Sequence, residues 1–319
     1  MKNIIIILAI ALSVYSCKMK KKIDIDIPDT ERHIVVNGIM TKDSLIKVRI
    51  SKSQGIFENK KIEYLSSAKA NLYKDNEFIE EMQHNDLGFY KSTIYPEIGV
   101  NYKINVEYNN LKPVNAKAIL LEPIKIVKVD TNMQISYAYY YDKEKKKYET
   151  DENAKNYEIK YKIKIKDKIG TNDFYFLAIS ISEPVYDYEP PYSFLKYNEV
   201  SQIFNTNDPV INKNEQEFML NGNYGVTFSD EMFKNSEYTL NLSSSIYKDV
   251  YENNDIYIIV KLMTISQDIY RYIISHNLNE QIGDDPFAQP VQVYSNVENG
   301  LGLFSGYTLD ADTLTLNAF

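Results

Sequence analysis

Asn101-Tyr102-Lys103-Ile104-Asn105-Val106-Glu107-Tyr108 alternates polar and apolar residues without a break. A period of two puts Tyr102, Ile104, Val106 and Tyr108 on one face of a strand and the polar residues on the other. The same alternation recurs on both sides. Upstream it runs through Ile46, Val48 and Ile50 with Lys47 and Arg49 between them, and again through Ala68, Ala70 and Leu72. Lys74-Asp75-Asn76 and Pro96-Glu97-Ile98-Gly99 carry turn residues, and Asn37-Gly38 after Ile34-Val35-Val36 reads as a turn or bulge. A last strand over Val114 to Leu121 ends before Pro123. Six or seven short strands at this spacing predict an immunoglobulin-like β-sandwich over residues 30–123.

From Ile124 the pattern restarts, so Pro123 is the expected domain boundary and residues 124–319 a larger β-rich second domain. Tyr157, Ile159, Tyr161, Ile163 and Ile165 alternate with Glu and Lys, predicting a long amphipathic strand. Phe174 to Ile181 is apolar at every face, as a central strand is. Strands are also expected over Tyr238 to Leu242 and Ile256 to Thr264. Residues 183–216, rich in Pro, Asn and Asp, read as a long loop. Ser229-Asp230 reads as the cap of a short helical turn through Phe233. One amphipathic helix is expected near 266–282, with Ser266 as N-cap and Ile269, Tyr272, Ile273 and His276 on one face.

The N-terminus sets the compartment. Lys2 precedes an apolar run over residues 4–15, then Ser16 and Cys17, the chain's single cysteine. A charged start, a short apolar run and a small residue before the cut site mark a secretory signal over residues 1–16. Spanning a bilayer as a helix takes about 20 apolar residues, which this run lacks. Val14-Tyr15-Ser16-Cys17 resembles a bacterial lipobox, with Tyr15 standing where a smaller residue is usual. A lone exported cysteine cannot form an internal disulfide, and lipidation accounts for it. Two or more acyl chains give stable anchoring where one does not. Residues 17–29, with Lys18 and Lys20 to Lys22, then read as a tether between lipid and fold. Lys18 stands where the inner-membrane retention signal has Asp, so the outer membrane is expected.

Composition narrows the function. The net charge of −8 argues against a nucleic-acid partner, which needs a basic face. With 44% hydrophobic residues the chain buries real cores. Its 28 Tyr, 13 Phe and no Trp fit a sugar- or peptide-binding surface, but strand preference and A/T-rich codons are the simpler account.

The sequence carries no recognisable catalytic or transition-metal signature. His33, His84 and His276 lie far apart, with no HExxH pair, so neither a transition metal nor a cofactor is expected. No G-x-S-x-G elbow is present, and Asn299 to Gly306 lacks the Lys-Ser/Thr pair of a phosphate loop. Asp284-Asp285 and Asp310-Asp312 lack EF-hand spacing and read as solvated turns. The chain is therefore not expected to be an enzyme. Two aromatic groups stand as candidate contacts for a partner or ligand. Tyr139, Tyr140 and Tyr141 adjoin a charge run from Asp142 to Lys147 that reads as a solvated hairpin tip. Tyr186, Tyr188 and Tyr192 flank Pro190-Pro191 in the expected loop. Exposed loop tyrosines suit interface cores, and packing onto their own domain is the alternative.

The closing segment Asp285 to Phe304, with its Gly300-Leu301-Gly302-Leu303-Phe304, is similar to that of a Bacteroidota lipoprotein family, domain of unknown function 4249. Cys17, Ile23-Asp24-Ile25, Ile34-Val35-Val36-Asn37-Gly38 and the Tyr-rich Ile265 to Ser275 carry the same resemblance. It implies an outer-membrane lipoprotein of the kind often encoded beside TonB-dependent transporters, and no activity. A binding or accessory role in nutrient uptake is the expectation, against a cell-envelope hydrolase of glycan or peptide, or a structural or adhesive surface protein.

Overall fold

The computed structural model describes residues 31–55, 58, 60–189, 192–211, 216–249, 256–282, 289 and 291–316. Its architecture lies in the unit of residues 32–54 and 59–319. The signal segment, Cys17 and the tether lie outside the described residues, as do Asp284, Asp285 and the Pro190-Pro191 pair. The protein is mainly β, in several sheets arranged as sandwiches, with one helix towards the C-terminus.

The alternating segments fold as their period demands. β1 (Ile34–Met40), β2 (Lys47–Lys52), β5 (Gln83–His84) and β6 (Phe89–Lys91) lie in one sheet. β3 (Lys69–Lys74), β4 (Glu77–Glu81), β7 (Asn101–Glu107) and β8 (Val114–Ile119) form a second, in the order β4-β3-β7-β8. The buried faces of both share one core: Ile34, Val36, Val48 and Ile50 from the first with Leu72, Tyr102, Ile104 and Val106 from the second. Each such side chain contributes roughly 1.5–3 kcal/mol by leaving water. Asp75 and Asn76, both with positive φ, make the tight turn into β4.

The second half repeats the logic on a larger scale. β9 (Ile126–Asp142), β10 (Lys147–Lys166) and β15 (Glu237–Asp249) form a three-stranded sheet ordered β15-β10-β9. Facing it are β11 (Phe174–Glu189), β13 (Glu217–Leu220), β14 (Asn223–Ser229) and β16 (Ile256–Ile265). Tyr157, Ile159, Tyr161, Ile163 and Ile165 of β10 pack against Tyr175, Leu177, Ile179 and Ile181 of β11. The intervening residues of β11, Phe176 and Ala178, are buried on the opposite face under the helix α1 (Gln267–Ile282). β11 is thus a central strand covered on both sides. α1 begins where expected, with the Ser266 hydroxyl accepting from the Ile269 amide at 3.2 Å. Its Ile269 and Ile273 are fully buried and Tyr272 half-buried.

Residues 183–216 and Asn37-Gly38 differ from their sequence reading. Residues 183–216 do not form one long loop: β11 continues to Glu189 and pairs with β12 (Tyr192–Gln202) as an antiparallel hairpin from Ile179↔Gln202 to Glu189↔Tyr192. β12 pairs with β11 alone, so Pro184 opposite Tyr197 removes a donor only at the margin of a sheet, where proline is tolerated. Composition suggested a loop, and edge position overrode it. The second is Asn37-Gly38, which lies inside β1 without turning the chain.

What Asn37 and Gly38 do there depends on the far end of the molecule. The last strand, β17 (Leu301–Leu316), pairs antiparallel with β16 and parallel with β1, from Val35↔Leu301 to Met40↔Gly306. One ten-stranded sheet therefore runs from β13 to β5 across Pro123. Gly302 sits at φ +112, and a Cβ there would lie 2.1 Å from the Val36 carbonyl oxygen. Gly38 is also close-packed, with a Val48 methyl 2.7 Å and the Lys47 carbonyl oxygen 2.8 Å from its would-be Cβ. The Asn37 side chain accepts from the Leu303 amide at 3.3 Å. Glycine is required at the join because two backbones approach closely. Asp310 and Asp312, read as a solvated turn, lie within β17. Asp310 accepts from Lys125 at 2.7 Å and from the Ile126 amide at 2.8 Å.

Candidate functional site

Three places stand out: a tyrosine-bearing hairpin, a groove over the closing segment, and a buried acidic cluster. The β9–β10 hairpin closes at residues 143–146, the solvated tip that the charge run predicts. Asp142 accepts from the Lys145 and Glu144 amides at 3.0 and 2.9 Å, and those bonds, the first above all, hold its carboxyl below the usual range. Lys145 reaches Glu149 at 3.2 Å. These exposed pairs fix the tip more than they stabilise the fold. Behind it Tyr139, Tyr140 and Tyr141 are 67%, 50% and 50% exposed, and Tyr137 and Tyr148 are exposed too. Tyr141 and Tyr148 meet edge to face at 5.3 Å. The tyrosines do not pack into their own core. β9 is also an edge strand among the described strands, so its backbone is open to a further strand.

Tyr186 and Tyr188 lie on β11 and Tyr192 on β12, in the hairpin that replaces the expected loop. Their side chains lie outside the described residues. The two tyrosine groups belong to different sheets.

The groove lies between α1 and the closing segment. Its volume is about 640 Å³, and Tyr270, Arg271, Ile274, Leu278, Tyr294 and Leu301 contribute to its walls. The closing segment is pinned there by side chains acting on backbone. Asn296 donates to the Phe304 carbonyl at 2.7 Å and accepts from the Phe304 amide at 3.0 Å, standing in for a missing strand. Its amide group also lies 3.1 Å from Asp268. Tyr294 donates to Asp268 at 2.5 Å, and burial together with that bond pushes its hydroxyl pKa up. Ser275 accepts from the Tyr294 amide at 2.8 Å. Tyr294 and Asn296 are thus occupied in holding the chain. His276 packs edge-on to Phe218 at 5.5 Å and keeps its Nε2 3.9 Å from Glu280, as a boundary residue of the helix does.

Asp167, Asp173 and Asp230 converge at one end of β11. Asp167 follows β10, Asp173 precedes β11, and Asp230 follows β14. Sequence reasoning missed this cluster. Asp230 was expected to cap a helical turn. It instead heads a hydrogen-bonded turn over residues 231–235, its carbonyl accepting from the Phe233 amide at 2.8 Å. No spacing rule collects these three residues: pairing of β11 with β14 brings Asp173 beside Asp230, and Asp167, from the facing sheet, is held there by the Tyr175 hydroxyl and the Asn235 amide. Among the described residues no helix is long and apolar enough to cross a membrane.

A multi-sheet β protein whose first and last strands are joined by a glycine-bearing closing segment is the class this geometry defines. The family model described as a domain of unknown function (DUF4249) matches residues 20–312, and the chain belongs to that family. Two of the stretches that carried the resemblance, residues 34–38 and 300–304, are the two sides of the β1–β17 join. No curated protein and no solved structure matches the chain.

Proposed function

We propose that the mature chain is a lipid-anchored outer-membrane protein and a non-catalytic binding or accessory component of a TonB-dependent nutrient-uptake system. The observation that carries this reading is the exposed row Tyr137, Tyr139, Tyr140 and Tyr141 on an edge hairpin. Tyrosine offers a flat apolar face and a hydroxyl at low conformational cost, which is what the centre of a protein interface selects. An open strand edge beside it adds backbone donors and acceptors for strand addition. The lipobox-like residues ending at Cys17 supply the anchor that would hold this hairpin near a membrane partner.

The test is gentle detergent extraction of the anchored full-length protein followed by affinity capture. A near-stoichiometric outer-membrane transporter is expected, and it should be lost when Tyr139, Tyr140 and Tyr141 become serine. Those side chains are exposed, so stability should change by about 0.5 kcal/mol or less for each substitution, checked by thermal melting. Cys17→Ala should abolish fatty-acid labelling and move the protein out of the outer-membrane fraction. Capture that brings down no transporter overturns the reading.

A further inference from the structure

We propose that Asp167, Asp173 and Asp230 form a structural binding site for a hard divalent cation, calcium in particular. One carboxylate oxygen from each lies within 4.8 Å of the other two. Oxygens 2.3–2.6 Å from a shared calcium ion fit within such a span. All three aspartates are more than nine-tenths buried, at 5%, 6% and 3% exposure. Burying one ionised carboxylate is costly, and three together repel one another.

Hydrogen bonds answer part of the charge. Asp167 accepts from the Tyr175 hydroxyl at 2.6 Å and from the Asn235 amide at 2.7 Å. Asp173 accepts from the Thr171 hydroxyl at 2.5 Å. Asp230 is different. Its Oδ2 is covered and has no hydrogen-bond partner among the described residues. A buried acceptor left without a partner costs about 1–3 kcal/mol, more when charged. Lys234 is the neighbouring cation that acts on Asp230, but its side chain is exposed and its ammonium donates to Asn172. Burial, then the charges of Asp167 and Asp173, push the Asp230 carboxyl above its ordinary range.

A cluster with that imbalance sheds most of its charge by taking up protons or a divalent cation. Every donor atom on offer is a carboxylate oxygen, which selects calcium or magnesium over a soft metal. Calcium tolerates the irregular geometry of three loops, whereas magnesium demands a near-octahedral shell. The three aspartates leave three different strand ends, so an ion between them would tie β10, β11 and β14 together. Tyr175, which bonds Asp167, is itself packed against Phe228, tilted at 5.2 Å, and Phe233, stacked at 6.3 Å.

The experiment uses the full-length protein in detergent, stripped with chelator and titrated with calcium chloride. Saturable uptake of about one ion per chain is expected, with a rise in melting temperature of about 4–8 °C. Asp230→Asn keeps the shape and removes one charge. It should abolish uptake and the calcium-dependent rise, while melting without calcium at or above the temperature of the stripped wild type. Asp173→Asn, read the same way, guards against a fold defect in the first variant. A folded wild type that takes up no calcium overturns the proposal. So does an equal calcium response in the wild type and Asp230→Asn.

Discussion

Gly302→Ala should lower the melting temperature by about 4–12 °C. At φ +112 the backbone adopts a conformation that L side chains avoid, a strain of about 1–3 kcal/mol. The new methyl would also lie 2.1 Å from the Val36 carbonyl oxygen and 2.9 Å from the Asn37 side chain. Backbone cannot yield as a flexible side chain does, so overpacking adds about 1–3 kcal/mol more. For a chain of this size each kcal/mol lowers the midpoint by roughly 2 °C. Gly99→Ala is the control: it too has positive φ, at +79, but nothing lies within 4 Å of its would-be Cβ. Its loss should be strain alone. Melting curves by circular dichroism that place Gly302→Ala within 2 °C of wild type would reject the role given to the join.

Phe304→Ala should cost a similar amount for a different reason. Its ring is fully buried in the core shared by β1, β2 and the β4-β3-β7-β8 sheet. Truncating a buried phenylalanine removes its transfer energy and leaves a cavity, about 3–5 kcal/mol together. Phe304→Leu keeps most of the volume and should cost under about 1.5 kcal/mol. Chemical denaturation separates the two, because alanine should lower the midpoint with an unchanged slope. If alanine proved no more damaging than leucine, ring burial would not be the dominant contribution of this position.

The two variants touch the part of the fold that the sequence exposed least evenly. Tyr102 to Tyr108 could be read as a strand because one buried face imposes a period of two, and Ile269 with Ile273 as a helix face for the matching reason. Both signals are local. Asn37-Gly38 misled because the same pair serves a hairpin turn or a close backbone approach, and the partner that decides lies at Leu303. Residues 183–202 misled in the opposite way: proline and asparagine argued for a loop, and pairing with β11 at a sheet margin made a strand of them. The candidate site divides likewise. Tyr139 to Tyr141 were visible as a hairpin tip beside a charge run. Asp167, Asp173 and Asp230 were not, since each alone reads as a polar residue at the end of a strand.

The join of β1 to β17 has a consequence for how the chain is made. Asn37 and Leu303 are 266 residues apart, so the first strand leaves the ribosome long before its parallel neighbour exists. At about 5–20 residues per second the wait is roughly 13 to 50 s. Throughout that time Val36 and its neighbours lack a strand on one side, and Phe304 is missing from the core below them. The amino-terminal sandwich is therefore an unfinished object until translation ends. A chain that stops short of Leu301 leaves β1 without its parallel neighbour wherever it folds, and such an open state is the one on which proteases act.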